Sequence, residues 1–354
     1  MRAGVLEVPV APTVLRWARE TLGKTVDEVA RRLDVGRETV KSWETGAKRP
    51  TLKQLRELAV FCKRPLAAFF LPGPPVESPL PTDYRSLPQD ITKPFSEETL
   101  LAIRRARRLQ DISRDLAASL EEQPSPRIPR FSLTDDPRAL SVVTRRHIGV
   151  TLDEQTSWQN PSEALAKWKR GIEAQDVLVL ELSFPIPEGR AFALSDDRFP
   201  LVVLNSNDTY HGRIFSLFHE YAHVSLHESG ICDWSEKGKT TEKFCNRFAG
   251  EFLVPQDALL AHPAVAGQRV RRLWDEDELS ILARFFRVSR EVVLRRLLTL
   301  GLTSQAFYEQ KHRLWESELR GKKGKSGRRV PARQCIRQNG IPFTSLPYFP
   351  PSLT

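Results

Sequence analysis

Residues 213 to 228 read RIFSLFHEYAHVSLHE, an apolar run at helical spacing that holds two histidines four apart and a glutamate beside the first. A helix this apolar is destined for the interior, and the polar groups it carries inward need partners there. His219 and His223 share one face, about 6 Å apart along the axis, so one tetrahedral cation can accept both imidazoles. Glu220, one residue past the first imidazole, is placed to take a proton from a metal-activated water instead of binding the ion.

A catalytic zinc takes three protein ligands and keeps one position open, so a third donor is needed. His227 is a poor candidate, because positions 219, 223 and 227 span about 12 Å of axis and bonds near 2 Å cannot reach both ends. It reads as a helix-surface residue or a support for the ligands. A histidine six residues beyond His223 would suit a different class of site, but Ser229 stands there. Downstream, TTEKFCNRFAGEFLVP offers Glu242, Cys245 one turn on, and Glu251 on an opposed face. Phe244, Phe248 and Phe252 form an apolar stripe that would pack this helix against the first. Glu242 is the preferred third ligand and Cys245 the alternative.

With 354 residues the chain exceeds one ordinary core, and two or three domains are expected. A hydrophobic fraction of 40% and a charged fraction of 28% fit a globular protein. The formal net charge of +10 favours a polyanionic partner without requiring one. Cys62, Cys232, Cys245 and Cys335 show no paired spacing, which argues for a reducing compartment and free thiols. MRAGVLEVPVAPTV lacks the charge and apolar pattern of a leader, and no stretch of about 18 apolar residues occurs. A cytoplasmic location with no membrane partner is expected.

Proline-rich PLAAFFLPGPPVESPLP closes a bundle of short helices over residues 13 to 71 and marks a linker near 75. Residues 94 to 122 read as a long amphipathic helix whose arginines suit a solvated face better than nucleic acid. Beyond Asp136 the pattern turns mixed: a helix from Pro161 to Glu173, then VLVLEL (177–182), RAFAL (190–194) and PLVVLN (200–205) as short buried strands. Two helices follow, about 211–227 and 240–252. VARRLDVGRETV (29–40) and LARFFRVSREVV (282–293) repeat one pattern, a small residue, a turn, and Arg-Glu opening the next helix. In the second copy Val292, Val293, Leu294 and Leu297 suit burial, so it reads as a packing element. GKKGKSGRR (321–329) reads as a flexible basic linker before a poorly structured tail.

The first copy lies within LRWARETLGKTVDEVARRLDVGRETVKSWETGAKRPTLKQLRELAVF, which is similar to the repressor-like XRE helix-turn-helix family over nearly its whole length. Thr25 can cap the second helix, Ala30 allows a close crossing, Gly36 permits the turn, and Val29, Leu33, Val35, Val40 and Trp43 supply the core. The third helix would present Arg37, Thr39 and Lys41 outward, as a recognition helix does in a major groove. Residues 1 to 75 hold 14 basic against 8 acidic residues, which supports phosphate contact, although Glu38 shares that helix.

Arg213, Phe215 and the His219-to-His223 motif, followed by Glu242, Asn246, Phe248, Ala249 and Val254-Pro255, resemble the two signature blocks of the ImmA/IrrE metallopeptidases over roughly residues 80 to 300. The resemblance implies that Glu242 is the third ligand and that the substrate is a repressor or antitoxin-like regulator. Where relatives continue after PFTSL into a further helical segment, this chain reads PYFPPSLT.

The expected fold is α+β and mostly helical: a five-helix helix-turn-helix bundle (1–75), a linker and long helix (76–130), a zincin-like metallopeptidase domain with a small sheet (131–265), a helical HTH-like segment (266–320) and a basic flexible tail (321–354). The expected function is a zinc-dependent endopeptidase acting in a stress or toxin-antitoxin response, with Glu220 catalytic, one Zn2+ on His219, His223 and Glu242, and Mn2+ as the alternative ion. Tyr210, His211 and Tyr221 are candidates for stabilising the transition state. DNA through the N-terminal module and a second copy of the chain are further expected partners. The rival reading is a DNA-binding transcription regulator whose peptidase-like domain senses a metal or ligand without catalysis.

Overall fold

A computed structural model of the protein describes residues 7–77, 95–122, 124–227, 236–267 and 270–323. Cys232, Ser229, Cys335 and the tail from residue 324 lie outside the described residues. The side chains of 236–239, 316 and 318–323 do so too.

Four α-helices build the N-terminal module: α1 (Pro12–Glu20), α2 (Val26–Leu33), α3 (Arg37–Thr45) and α4 (Leu52–Phe61). The expected fifth helix is a 3-10 turn, Leu66–Phe70, because Pro65 and Pro74 leave room for little more. Thr25 caps α2 as expected and completes a capping box with Glu28. One expectation is corrected: the left-handed residue in the turn between α2 and α3 is Asp34 (φ 52°), while Gly36 is extended (φ −67°) and caps α3. An aspartate tolerates that conformation better than most side chains do. Val29, Leu33, Val40 and Trp43 are buried in the module core, and Val35 packs against it. Arg19 of α1 claims the buried carboxylate of Glu44 on α3 at 2.6 Å.

Next comes α5 (Glu97–Ser119), followed by α6 (Pro137–Ile148), α7 (Leu152–Ser157) and α8 (Pro161–Glu173). Strands β1 (Leu178–Leu182), β2 (Ala191–Leu194) and β3 (Leu201–Asn205) form one sheet in the order β1-β3-β2. β1 pairs parallel with β3 (Leu178 opposite Leu201), and β2 pairs antiparallel (Ala191 opposite Leu204). Both faces of the sheet are covered, as the continuous apolar strands require. Leu201, Val203, Phe192 and Leu194 meet Ala102, Ile103 and Ala106 of α5. Val202, Leu204, Ala191 and Val179 belong to the larger core with α8 and the helices that follow.

Those helices are α9 (Tyr210–Leu226), α10 (Glu236–Leu253), α11 (Gln256–Ala261), α12 (Glu276–Phe286), α13 (Arg290–Thr299) and α14 (Gln305–Lys323). The first three residues of the tail expected from residue 321 are therefore the last three of α14. Helices α12 and α13 repeat the helix-turn-helix pattern, and Val292, Val293, Leu294 and Leu297 are buried, so this copy packs inward. No helix among the described residues is long and apolar enough to cross a membrane.

Candidate metal centre

Every residue of α9 from Arg213 to Ser225 is buried. Thr209 caps its start by accepting from the Gly212 amide, and Arg213 is anchored to Glu181 of β1, which also accepts from Lys169 of α8 at 2.8 Å. Glu181 escaped the sequence reading; its signal was a lone acid inside the apolar run VLVLEL. Across from α9, the expected aromatic stripe of α10 sets the spacing. Phe252 stacks on Phe218 (centroids 4.1 Å apart), Phe248 on Tyr221, and Trp168 of α8 meets Phe218 edge-on.

This packing brings His219, His223 and Glu242 together. The two Nε2 atoms are 3.1 Å apart, His219 Nε2 lies 3.3 Å from Glu242 Oε2, and His223 Nε2 lies 3.2 Å from Glu242 Oε1. A tetrahedral zinc with bonds of about 2.0–2.1 Å needs donor atoms about 3.3 Å apart, so the donor set fits the ion. Among the described residues these three form the group able to hold a metal, and Cys245 is not part of it. Both histidines are buried and Glu242 is about a third exposed, so solvent reaches the cluster beside Glu242.

The electrostatics favour a positive centre at this point. Burial opposes charge on Glu242, yet hydrogen bonds from His219 and His223 hold its carboxyl well below the usual range. Burial likewise opposes charge on His223, while Cys245, Glu242 and Glu220 raise its pKa well above the ordinary value. Burial pushes the Cys245 thiol up to about 11, against the pull of His223. Glu220 is fully buried beside the pair.

The remaining candidates separate cleanly. His227 ends α9 in a left-handed conformation (φ 51°), 2.8 Å from Asp197 and away from the ion-binding group. Glu251 pairs with Arg296 of α13 instead. Tyr221 is a core residue whose hydroxyl donates to Gln175 at 2.8 Å, and burial pushes its phenol up. Tyr210, beneath the Arg213 guanidinium, and His211, lowered by burial, sit in the first turn of α9. They lie about 12 Å along the axis from His219, so they do not join the cluster. On α3, Arg37 and Lys41 are exposed and Thr39 is half-buried. Asp27 lies 3.4 Å from Arg37, and Glu38 lies 2.8 Å from Lys41. Exposed pairs of this kind are weak enough for a phosphate to displace.

Two family models match the chain. One, described as an IrrE N-terminal-like domain, covers residues 172–298, from the end of α8 to α13, and so contains the whole donor cluster. The other, described as helix-turn-helix, covers residues 15–69. The chain is thus similar to an XRE-type helix-turn-helix module over residues 15–69 and to an IrrE/ImmA-like domain of a metallopeptidase family over residues 172–298. Among curated proteins, none matches the chain.

Proposed function

We propose that the protein is a zinc-dependent endopeptidase that cleaves one specific regulatory protein, a repressor or antitoxin-like partner, in a stress or toxin-antitoxin response. The observation that carries this reading is the convergence of two imidazoles and one carboxylate at tetrahedral spacing beside a buried glutamate. His219, His223 and Glu242 would hold the ion, which when bound would lower the pKa of a water and polarise the scissile carbonyl. Glu220 takes the proton of the attacking water and delivers it to the leaving amine. Zinc is the ion favoured by a two-imidazole, one-carboxylate set with an open position, and Mn2+ is the alternative.

The N-terminal module would direct the peptidase to its partner, either through DNA contacts by Arg37, Thr39 and Lys41 or by binding the protein substrate itself. Glu220→Gln should keep the metal and abolish cleavage of the product of the adjacent open reading frame, read by gel after co-expression. Cleavage that survives would remove Glu220 from the catalytic role. The exposed face of α3 also sustains the second reading, a regulator without catalysis. That reading predicts a mobility shift on the chain's own promoter, at stated salt, that is unchanged by Glu220→Gln, together with no proteolysis of any neighbour.

A further inference from the structure

The C-terminal half of α5 carries an apolar seam that nothing among the described residues covers. Ile112, Leu116 and Leu120 are 47%, 49% and 49% exposed, and Leu109 is half-buried. At 100° per residue, Arg105, Leu109, Ile112, Leu116 and Leu120 fall within an arc about 80° wide. This arc adjoins the face that covers the sheet, with Ala102 at its edge and Ala106 and Ile103 beyond it. It is separate from Glu97 and Arg104, which hold the N-terminal module through Lys24 and the carbonyls of Thr21, Cys62 and Lys63. The steps from 105 to 109, 112 and 116 are four, three and four residues, the spacing of the a and d positions of a two-stranded coiled coil. Arg108 and Asp115 then occupy successive g positions on its flank; both are exposed, with no ionic partner among the described residues.

We propose that α5 of one copy pairs antiparallel with α5 of a second copy through this seam, making the protein a two-fold symmetric dimer. Antiparallel pairing sets g positions opposite one another, so Arg108 meets Asp115 of the second copy and symmetry repeats the pair. Leu109 packs on Ile112 in both directions, and Leu116 covers the aliphatic stem of Arg105. A parallel pair would instead set Arg108 against Ser113 and Asp115 against Leu120, leaving both charges unmatched. The antiparallel arrangement also sends the two helix-turn-helix modules to opposite ends of the pair, with the two Glu97 positions about 40 Å apart along the axis. That is of the order of the one-turn separation, about 34 Å, at which symmetric half-sites present themselves on DNA.

Light scattering of the full chain at raised concentration should give twice the chain mass, and Ile112→Arg should return it to the mass of one chain. Circular dichroism and metal content of the Ile112→Arg protein should match the parent, which separates loss of association from loss of fold. Arg108→Asp or Asp115→Arg alone should weaken association by about tenfold, and the two together should restore it. A parent protein that stays monomeric at every concentration would overturn the proposal. So would a dimer that survives Ile112→Arg, or a charge swap weaker than either single change.

Discussion

Burial by itself would neutralise both Glu242 and His223, yet His219 and His223 hold Glu242 in its charged form, and Cys245, Glu242 and Glu220 together drive His223 toward its own. A proton is the smallest cation that satisfies this arrangement, and a divalent ion with directed bonds satisfies it better. Glu242→Ala should therefore lower the zinc content of the purified protein, measured by atomic emission, by tenfold or more on the order seen for lost ligand support. Full occupancy in that variant would point to Cys245 or Glu251. Glu181 makes a pH-dependent case in the same core. Burial raises its pKa, but Lys169 and Arg213 lower it further, to a value below that of an ordinary glutamate. A carboxylate whose folded pKa is depressed adds stability above its unfolded value of about 4.3, and that stability is lost as pH falls through the folded value. The melting temperature should fall below about pH 4.3, and Glu181→Gln should be less stable at pH 7 with a flatter acid limb. An acid limb unaffected by the substitution would count against this account. At this scale His219, Glu220 and His223 were legible because helical spacing alone fixes which side chains share a face. Asp34 was not, because which residue of LDVG turns left-handed depends on how α3 docks.

Between elements, α10 is held at its C-terminus by groups distant in sequence. Gln155 of α7 donates to the carbonyls of Leu253 and Phe286, Arg145 of α6 donates to Phe252, and Arg296 of α13 reaches both Val254 and the Glu251 carboxylate. These partners donate to carbonyls that the end of a helix leaves without a donor. The Arg296–Glu251 pair is almost fully buried, so removing one member strands the other charge in low dielectric. Arg296→Met should cost about 3–5 kcal/mol in a denaturant titration, and adding Glu251→Met should recover much of it. A double variant as unstable as the single one would mean that the arginine acts mainly through its carbonyl contacts. Most long elements were readable from periodicity: α8 runs from Pro161 to Glu173 as expected, and the three strands differ from expectation by one residue at their starts, although the 12-residue α6 went unread. The short α7 and α11, six residues each, were not read, since so few residues carry too little pattern to separate a helix from a loop.

Across the whole molecule, α5 is the joint. One face covers the sheet, Gln110 donates to the carbonyls of Leu194 and Phe199, and Arg114 lies 2.6 Å from Asp196. At its N-terminal end Lys24 lies 2.7 Å from Glu97, and Arg104 gathers three carbonyls at the ends of α1 and α4, where helix dipoles favour a cation. The module should therefore unfold together with the rest of the chain in calorimetry, and Arg104→Ala should split off an earlier transition belonging to the module. A single unshifted transition in that variant would show that Arg104 does not couple the two. The sequence alone determined most of the longer periodic elements, that one buried helix carries His-Glu-x-x-His, and that the N-terminal pattern is a helix-turn-helix, because these depend on the spacing of neighbouring residues. Only the tertiary structure grouped Glu242, and neither Cys245 nor Glu251, with the two histidines. It also gave α5 its place between module and sheet and turned Arg104 and Arg296 inward, because such pairings depend on how separate helices pack and no local period encodes them.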